Sequence, residues 1–334
     1  MNPRTTRRSL CAAAAGLPLA AGRAPAQQTG TAPAAAYPTR PVTVLVGFAP
    51  GGGTDILSRL LAAKLQDVFG QPVAVENRPG GSGTIAVSAV LRSRPDGYTL
   101  GVGTNSSNAI VPPLMRPPPF DPLRDQTPIL SAGTVPQVVT VPANSPARDL
   151  QGFIAKLKAS PGRVNYASSG IATQQHFAAE LFARATGTSM AHVPYRGSGQ
   201  AVNDLIAGQV DVNFDTLPTV LPHIRAGTLR GLAVTTPERV AWLPDMPTVA
   251  ESGVPGFDVV TWYLVYGPAG LPAPIVARWV EALNTALADP GVRARVHEAG
   301  FIPGGGTAAD AAARVRDDAE RFGTLAREAG IRLE

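Results

Sequence analysis

The sequence predicts an α/β fold of two domains, each a mostly parallel sheet flanked by helices. Apolar β-branched runs alternate with segments of helical period, a pattern typical of parallel sheets. Loops rich in glycine and serine follow most of these runs. The last helical segments need a sheet to cover, and the first alternating block is their natural partner. The chain is therefore expected to enter a second domain and return.

Periodicity defines the first block. Residues 42–48 form an apolar β-branched run, which indicates a buried strand. Residues 55–69 repeat apolar residues on one helical face, and Gly70 is a typical helix end. Further strands are expected at 73–75 and 98–103, and a helix at 84–94. Residues 112–128 are rich in proline without period, so we expect a surface loop there.

The second block repeats the alternation after an extended segment at residues 137–141. Helices are expected at 150–159, 174–186 and 200–207, and strands at 164–167, 191–195, 210–214 and 229–235. An extended aromatic segment at 257–266 precedes helices at 273–288, 290–298 and 308–329. We therefore expect a first domain of residues 37–137 and 262–334, joined by two crossing strands to a second of residues 138–261.

The amino terminus has the layout of a secretory signal peptide. A basic start with Arg4, Arg7 and Arg8 precedes a short apolar stretch and the small residues Ala24 and Ala26. The arginine pair also resembles a twin-arginine signal, and both that route and Sec export stay open. We expect a signal peptide at 1–26, a disordered leader at 27–36 and a periplasmic protein. The alternative is a disordered tail with accidental arginines.

Export would change the charge of the chain. The sequence has 29 basic and 24 acidic residues, and the four arginines of residues 1–26 would leave with the signal. The remaining 25 basic residues nearly balance the acidic ones, which removes the main argument for nucleic-acid binding. Cys11, the only cysteine, lies in the same segment. A mature chain without cysteine has no disulfide, thiolate metal site or cysteine nucleophile.

Motifs of nucleotide and metal chemistry are incomplete. The glycines at 51–53 lack the Gly-Lys-Ser/Thr ending of a phosphate-binding loop, and residues 81–86 fit the degenerate dinucleotide fingerprint without its expected acidic partner. No Gly-x-Ser-x-Gly elbow occurs. The four histidines, His176, His192, His223 and His297, have no metal-ligand spacing. We expect no cofactor and no metal.

The triple glycine of residues 51–53 instead suggests an anion site. It ends a strand and opens a helix, where free N–H groups and the helix dipole attract negative charge. Asp55 either caps this loop or meets a cationic group of the ligand. His176 either contacts ligand or packs at a helix start. Arg196 is the one plausible charge partner in the glycine loops, or a solvated arginine.

Several runs resemble one family of receptors. The segment VLVGFAPGGGTD at 44–55 is similar to the first strand and loop of tripartite tricarboxylate transporter solute receptors, also called Bug-type receptors. Similar segments are ENRPG at 76–80, PDGYTL at 95–100, VPYRGSG at 193–199, GQVD at 208–211 and LPDMPT at 243–248. The resemblance extends from about residue 37 to the end of the chain.

The resemblance implies a two-domain periplasmic binding-protein fold and no enzymatic activity. It implies a small carboxylate held between the domains and delivered to a membrane transporter. We also expect a monomer that binds no nucleic acid. The implied ligand contacts are Phe48, Gly51, Gly52, Thr54, Asp55, Thr104, Asn105, Ser106, Ser107, Ser168, Ser169, Gly170, Thr173, His176, Tyr195, Arg196, Gly197 and Asp215. Asn105 lies in a loop that varies in the family, and Gln175 stands where proline is more usual. Two alternatives are an exported enzyme of a small carboxylate and a receptor for a neutral or sulfonated ligand.

Overall fold

The computed structural model describes residues 37–329. The expected signal peptide at 1–26, with Cys11, and the leader at 27–36 lie outside the described residues. Within residues 37–329, none of the helices combines the length and the apolar character needed to cross a bilayer.

Ten strands form a connected system of two sheets. Their bounds are β1 Val42–Val46, β2 Val73–Asn77, β3 Thr99–Thr104, β4 Gln126–Pro142, β5 Asn165–Ser168, β6 Ala191–Pro194, β7 Val212–Thr216, β8 Leu229–Val234, β9 Val260–Pro268 and β10 Ile302–Gly305. The first sheet has the order β2-β1-β3-β9-β4-β10, and the second has the order β6-β5-β7-β4-β8. Strand β4 therefore belongs to both sheets.

Helices cover these sheets. Their bounds are α1 Gly53–Phe69, α2 Thr84–Leu91, α3 Leu150–Ala159, α4 Gln174–Thr186, α5 Ser198–Ile206, α6 Leu217–Arg225, α7 Ala273–Ala288, α8 Pro290–Glu298 and α9 Ala308–Ala329. Short 3₁₀ turns span Gly81–Gly83 and Pro112–Leu114, and a π-helical turn spans Ser106–Ile110.

The sheets are mixed rather than parallel throughout. Strand β1 pairs in parallel with β2 and β3, and β5 pairs in parallel with β6 and β7. The central strand β4 is antiparallel to β7, β8, β9 and β10. The expected parallel pairing thus holds for the outer strands of each sheet. The centre differs because β4 leads from the first sheet into the second and β9 leads back, so these two neighbouring strands run in opposite directions.

Strand β4 changes partners partway along its length. From Gln126 to Pro136 it pairs with β9, and from Gln137 to Pro142 it pairs with β7 and β8. Near the change, the Gln137 Nε2 donates to Thr261 Oγ1 of β9 at 3.2 Å. The carboxyl ends of the parallel strands in both sheets are thereby brought to one region.

Each sheet has an apolar core on both faces. On the first sheet, Val44 faces α1 and α7, where Leu61 and Trp279 pack, whereas Leu45 faces α2 and α9. Successive strand residues point to opposite faces, so one strand supplies both cores. The second sheet is covered by α3 and α4 on one face and by α5 and α6 on the other.

Several predicted boundaries were wrong. Helix α6 and strand β10 were not expected, because α6 contains Pro218 and Pro222 and β10 is rich in glycine and proline. Strand β4 begins at Gln126, inside the expected surface loop. Proline costs a helix most in its interior, and here Pro218 lies in the first turn, where its missing N–H is no loss.

Helix α9 is joined to the first sheet by polar contacts. The indole Nε1 of Trp262 donates to Asp318 Oδ2 at 2.6 Å, and Arg314 lies 5.1 Å from the centre of the Trp262 ring. Burial raises the pKa of Asp318, while hydrogen bonds from Trp262 and Asn105 work against this rise. Helix α9 is thereby linked to the loop that follows β3.

Candidate functional site

A cavity lies where the carboxyl ends of β1, β3, β5 and β7 meet. It has about 340 Å³ of empty volume, counting the open space at its mouth. Its lining is Phe48, Gly52, Gly53, Thr54, Thr104, Ser106, Ser169, Gln175, Ser198, Thr216, Thr261 and Tyr263. All of these side chains are neutral, and most are polar. Clefts outside the carboxyl ends of parallel strands are common ligand sites in α/β proteins.

The amino terminus of α1 forms one wall of the cavity. Gly52 precedes the helix with φ −84° and ψ 166°, and no side chain caps it. No hydrogen bond within residues 37–329 uses the N–H of Gly53 or Thr54. Free N–H groups and the positive end of the helix dipole favour an anion at this position. A side chain at Gly53 would overlap the hydroxyl of Tyr263, so close packing requires glycine there.

Asp55 supports the glycine loop from behind. Its carboxylate accepts from the Gly51 N–H at 3.1 Å, from Arg59 at 2.9 Å and from Asn77 at 3.0 Å. Burial raises the pKa of Asp55, but these hydrogen bonds outweigh burial and lower it overall. Asp55 does not line the cavity. The geometry supports the capping interpretation rather than a contact with a cationic ligand group.

The loop after β3 forms a second wall. Thr104 and Ser106 line the cavity, and the Ser106 Oγ accepts from the Gln174 N–H of α4 at 2.9 Å. Asn105 accepts from the Ser106 N–H at 3.1 Å and donates to the Val260 carbonyl at 3.2 Å. Ser107 accepts from the Thr104 N–H at 3.0 Å. Asn105 and Ser107 thus hold the loop and do not line the cavity.

The second sheet contributes a polar wall built on Asp215. This carboxylate is 2% exposed and lies behind Gln175 and Ser198. It accepts from the Ser198 hydroxyl at 2.7 Å, from the Gln175 Nε2 at 3.1 Å and from the Thr216 N–H at 2.7 Å. Burial raises the pKa of Asp215, and these hydrogen bonds work against the rise. Asp215 therefore positions the wall without lining the cavity.

Two stacked histidines lie beneath the loop after β5. The ring centres of His176 and His192 are 4.1 Å apart. The His176 Nδ1 accepts from the Ala172 N–H at 2.8 Å, and the His192 Nε2 lies 2.6 Å from the Ser168 Oγ. Burial lowers the pKa of both rings to about 4, and for His192 the neighbouring His176 adds to this effect.

The pair Ser168–His192 has the spacing of a nucleophile and its base. Ser168 is 2% exposed, and its Oγ donates to the Gly170 carbonyl at 2.9 Å. Neither residue lines the cavity. A nucleophile must reach its substrate, so this pair serves to hold the loop.

A second, larger pocket adjoins the cavity through Phe48 and Ser169. It has about 730 Å³ of empty volume and is lined by the 3₁₀ turn at Gly81–Gly83, Met115, Ile171, Tyr195 and Arg196, among others. Arg196 is exposed. Burial and the hydrogen bond to Asp204 together raise the pKa of Tyr195 to about 12. The pocket thus combines apolar surface with one cationic side chain.

The predicted residues divide into three groups. The cavity is lined by Phe48, Gly52, Thr54, Thr104, Ser106 and Ser169, and the second pocket is lined by Phe48, Ser169, Gly170, Tyr195 and Arg196. Gly51 faces a separate outer pocket. The residues that line neither of the first two are Gly51, Asp55, Asn105, Ser107, Ser168, Thr173, His176, Gly197 and Asp215. Hydrogen bonds within loops involve Asp55, Asn105, Ser107, Ser168, Thr173 and His176, and Asp215 positions Gln175 and Ser198.

Six lining residues were not predicted: Gly53, Gln175, Ser198, Thr216, Thr261 and Tyr263. Gly53 and Ser198 lie in glycine loops that the sequence had indicated, so extending those loops by one residue would have found them. Gln175 was noted only as a replacement for proline. Thr261 and Tyr263 come from β9, which carries no loop signal. Within residues 37–329, no group of three His, Cys, Asp or Glu residues is placed to hold a metal ion.

Comparison with known proteins identifies the family of this chain. The family model described as tripartite tricarboxylate transporter family receptor matches residues 57–331. The chain belongs to this family. Among curated relatives of the receptor, the protein BugT of Bordetella pertussis is 37% identical over 299 residues, covering 89% of this chain and 92% of BugT.

Solved structures also resemble the receptor. An R. palustris protein with adipate is 36% identical with a TM-score of 0.86, covering 89% of this chain and 99% of that one. MatC from Rhodopseudomonas palustris with bound malate is 32% identical with a TM-score of 0.81, covering 86% and 98%. The periplasmic binding-protein fold expected from the sequence is thereby confirmed.

The histidine stack predicts a loss of stability in acid. Each histidine has a pKa of about 4 in the folded protein, whereas its ordinary value is near 6.5. As the pH falls, the unfolded chain therefore takes up the proton before the folded protein does. The contribution of each histidine to the free energy of unfolding is complete above about pH 6.5 and falls as the pH drops toward about 4. Urea unfolding between pH 7 and pH 4.5 measures how steeply the free energy of unfolding changes with pH. Each histidine adds up to about 1.4 kcal/mol per pH unit to this slope.

The variant His192→Phe isolates the effect. It keeps an aromatic ring against Tyr166 and His176 but has no group to protonate. We expect it to be less stable than the wild type at pH 7, because Ser168 loses a partner, and to have a shallower slope below pH 6.5. The raised pKa of Asp215 has the opposite effect on the pH dependence of stability, and it does so in both proteins. Subtracting one slope from the other therefore removes the effect of Asp215. Equal slopes would contradict the prediction.

Proposed function

We propose that this receptor captures a small carboxylate in the cavity described above. The observation that carries the proposal is the lining itself, which joins the unpaired N–H groups of Gly53 and Thr54 to neutral hydroxyl and aromatic side chains. Such donors hold an anion without a buried counter-charge whose desolvation would cost binding energy. The adipate and malate found in the two similar structures support a carboxylate as the ligand.

We further propose that the receptor acts in the periplasm and delivers its ligand to a membrane transporter. Family membership supports the transporter, and the basic, apolar and small-residue pattern of residues 1–26 supports export. The proposed role is capture without turnover. The position of Ser168 and His192 supports this, because neither residue of this nucleophile-and-base pair lines the cavity.

Paired ligands test whether the carboxylate is recognised. A thermal-shift screen of mono- and dicarboxylates, followed by calorimetry, identifies acids that bind. The amide or methyl ester of the best acid should bind at least roughly tenfold more weakly, because hydrogen bonds to a charged acceptor are stronger than those to a neutral one. Equal binding of acid and amide would contradict the proposal. Conversion of any hit to product would support the enzyme alternative.

Two neighbouring glycines distinguish a residue that lines the cavity from a residue that only shapes the loop. Gly52 has an ordinary φ of −84°, and an added Cβ would lie 3.7 Å from the Ser198 Cβ, across the cavity. Gly51 has φ +83° with open space around it. We expect Gly52→Val to weaken binding of the best acid at least about tenfold while changing the unfolding free energy by less than about 1 kcal/mol.

The matched control is Gly51→Ala. A side chain at positive φ costs about 1–2 kcal/mol, so this variant should lose stability but retain most of its affinity. Calorimetry and urea unfolding on both variants give the comparison. If Gly52→Val binds as tightly as the wild type, the ligand does not approach α1 as proposed.

We also propose that the protein closes around its ligand as two domains, residues 37–137 with 262–334 and residues 138–261. The partner change of β4 at Gln137 and the return through β9 support two hinges. Loops of the two sheets touch through hydrogen bonds from Ala49 N–H to the Arg196 carbonyl at 3.2 Å and from Ser82 Oγ to the Ile171 carbonyl at 2.7 Å. A ligand that contacts both sides favours the closed form.

X-ray scattering tests this closure. The radius of gyration should decrease when the receptor is saturated with a verified acid, and it should not change with the non-binding amide of the same acid. An unchanged radius at saturation would refute hinge closure but would leave the carboxylate assignment intact.

A further inference from the structure

The direction of the hydrogen bonds around Asp215 defines what the cavity offers a ligand. Besides Ser198, Gln175 and the Thr216 N–H, the Asn213 Nδ2 also donates to this carboxylate, at 3.2 Å. Each of these four partners supplies a hydrogen. The surroundings therefore fit an ionised carboxylate, which only accepts.

This buried acceptor orients the polar side chains in front of it. The Gln175 amide must turn its Nε2 toward Asp215, and the same nitrogen donates to the Ser198 Oγ at 3.0 Å. The Gln175 Oε1 then faces Ser169, whose hydroxyl donates to it. A hydroxyl has one hydrogen. Ser169 and Ser198 have both used theirs within the wall, so their oxygens offer only lone pairs to the cavity.

The opposite side of the cavity has the reverse character. The Ser106 Oγ accepts from Gln174, and the Thr261 Oγ1 accepts from Gln137, so both hydroxyl hydrogens are available to a ligand. The N–H groups of Gly53 and Thr54 add two further donors. The cavity thus faces a ligand with donors on the first-sheet side and with the acceptors Ser169 and Ser198 on the second-sheet side, where the Thr216 hydroxyl is engaged with Thr219 at 3.1 Å.

Both sides are close enough to meet the same end of a ligand. The nearest side-chain atom to a Cβ placed on Gly52 is the Ser198 Cβ at 3.7 Å, and a Cβ on Gly53 would lie 3.2 Å from the Thr216 Oγ1. A carboxylate at the start of α1 therefore has Ser198 within a few ångströms. The group that meets Ser198 must lie on the carboxylate itself or on the atom next to it.

We propose that the preferred ligand carries a hydrogen-bond donor on the carbon next to its carboxylate, as in a 2-hydroxy or 2-amino acid. This proposal rests on the proposed carboxylate-binding function. The carboxylate meets the free N–H groups of α1, and the neighbouring donor meets a lone pair of the Ser198 hydroxyl, the acceptor closest to the start of α1. A ligand without that donor leaves the Ser198 oxygen facing an acceptor or an apolar carbon, which costs binding energy.

Ligand pairs that differ by a single group test the proposal by calorimetry. The pairs are glycolate with acetate, lactate with propionate, and malate with succinate, and aspartate serves as the amino counterpart of malate. In each pair of which at least one acid binds, the acid with the donor should bind at least about tenfold more tightly than the acid without it. The order of malate and aspartate identifies the donor as hydroxyl or ammonium.

The variant Ser198→Ala tests the acceptor directly. It should weaken the binding of malate about tenfold more than the binding of succinate, and so reduce the preference for malate. The matched control is Ser252→Ala, which removes a hydroxyl bonded to the Thr248 carbonyl outside the cavity and should leave both affinities unchanged. Urea unfolding of both ligand-free variants verifies that they fold.

Two results would overturn the proposal. Equal binding of the paired acids would show that water, rather than a ligand donor, satisfies Ser198 and Ser169. Equal losses for malate and succinate in Ser198→Ala would show that Ser198 does not read the donor. Failure of every carboxylate to bind would instead refute the proposed function, so the two failures are distinguishable.

Discussion

The site depends on the length and continuity of strand β4. Because its first part pairs with β9 and its last part with β7 and β8, one unbroken strand fixes the two sheets edge to edge. The parallel strands on either side then end in the same region. Every loop that lines the cavity follows one of these ends, apart from the residues that β9 supplies. A break in β4 would separate the α1 terminus from the Asp215 wall.

Two buried carboxylates, Asp55 and Asp215, have different roles in this site. Asp55 accepts hydrogen bonds from Gly51, Arg59 and Asn77 and so fixes the loop whose N–H groups face the cavity. Asp215 accepts from side chains that themselves line the cavity and so fixes their hydrogens. Neither carboxylate needs to touch a ligand to decide what the cavity recognises. Their negative charge is placed behind the surface, where bonded donors satisfy it.

Much of the fold could be predicted because local signals mark its elements. Helices α3, α4, α7, α8 and α9 have the expected bounds, since apolar period and end residues such as Asp149, Gly187 and Asp289 agree. Helix α6 was missed because Pro218 and Pro222 suggest a loop. The antiparallel centre was missed because strand order depends on pairing between residues far apart in the chain, such as Gln126 with Pro268 and Gln137 with Thr216.

The site could be predicted only in part, and for a related reason. Glycine and serine loops after strands indicated Gly52, Thr104, Ser106 and Ser169, all of which line the cavity. Sequence could not tell that Asp55 and His176 turn toward their own loops, because that depends on Asn77 and on His192 respectively. Tyr263 lies on a strand that carries no loop signal. Its position became evident only from its contact with Gly53.

The neutral lining of the cavity has a consequence for how solutes arrive. Backbone dipoles and hydroxyls act over a few ångströms, whereas fixed charges act over about 8–10 Å at physiological salt. Without a cationic side chain in the inner lining, the cavity does not draw anions from a distance. Among residues 37–329, Arg196 at the adjoining pocket is the only positive side chain that lines either pocket. Association of a ligand with this cavity should therefore depend little on ionic strength.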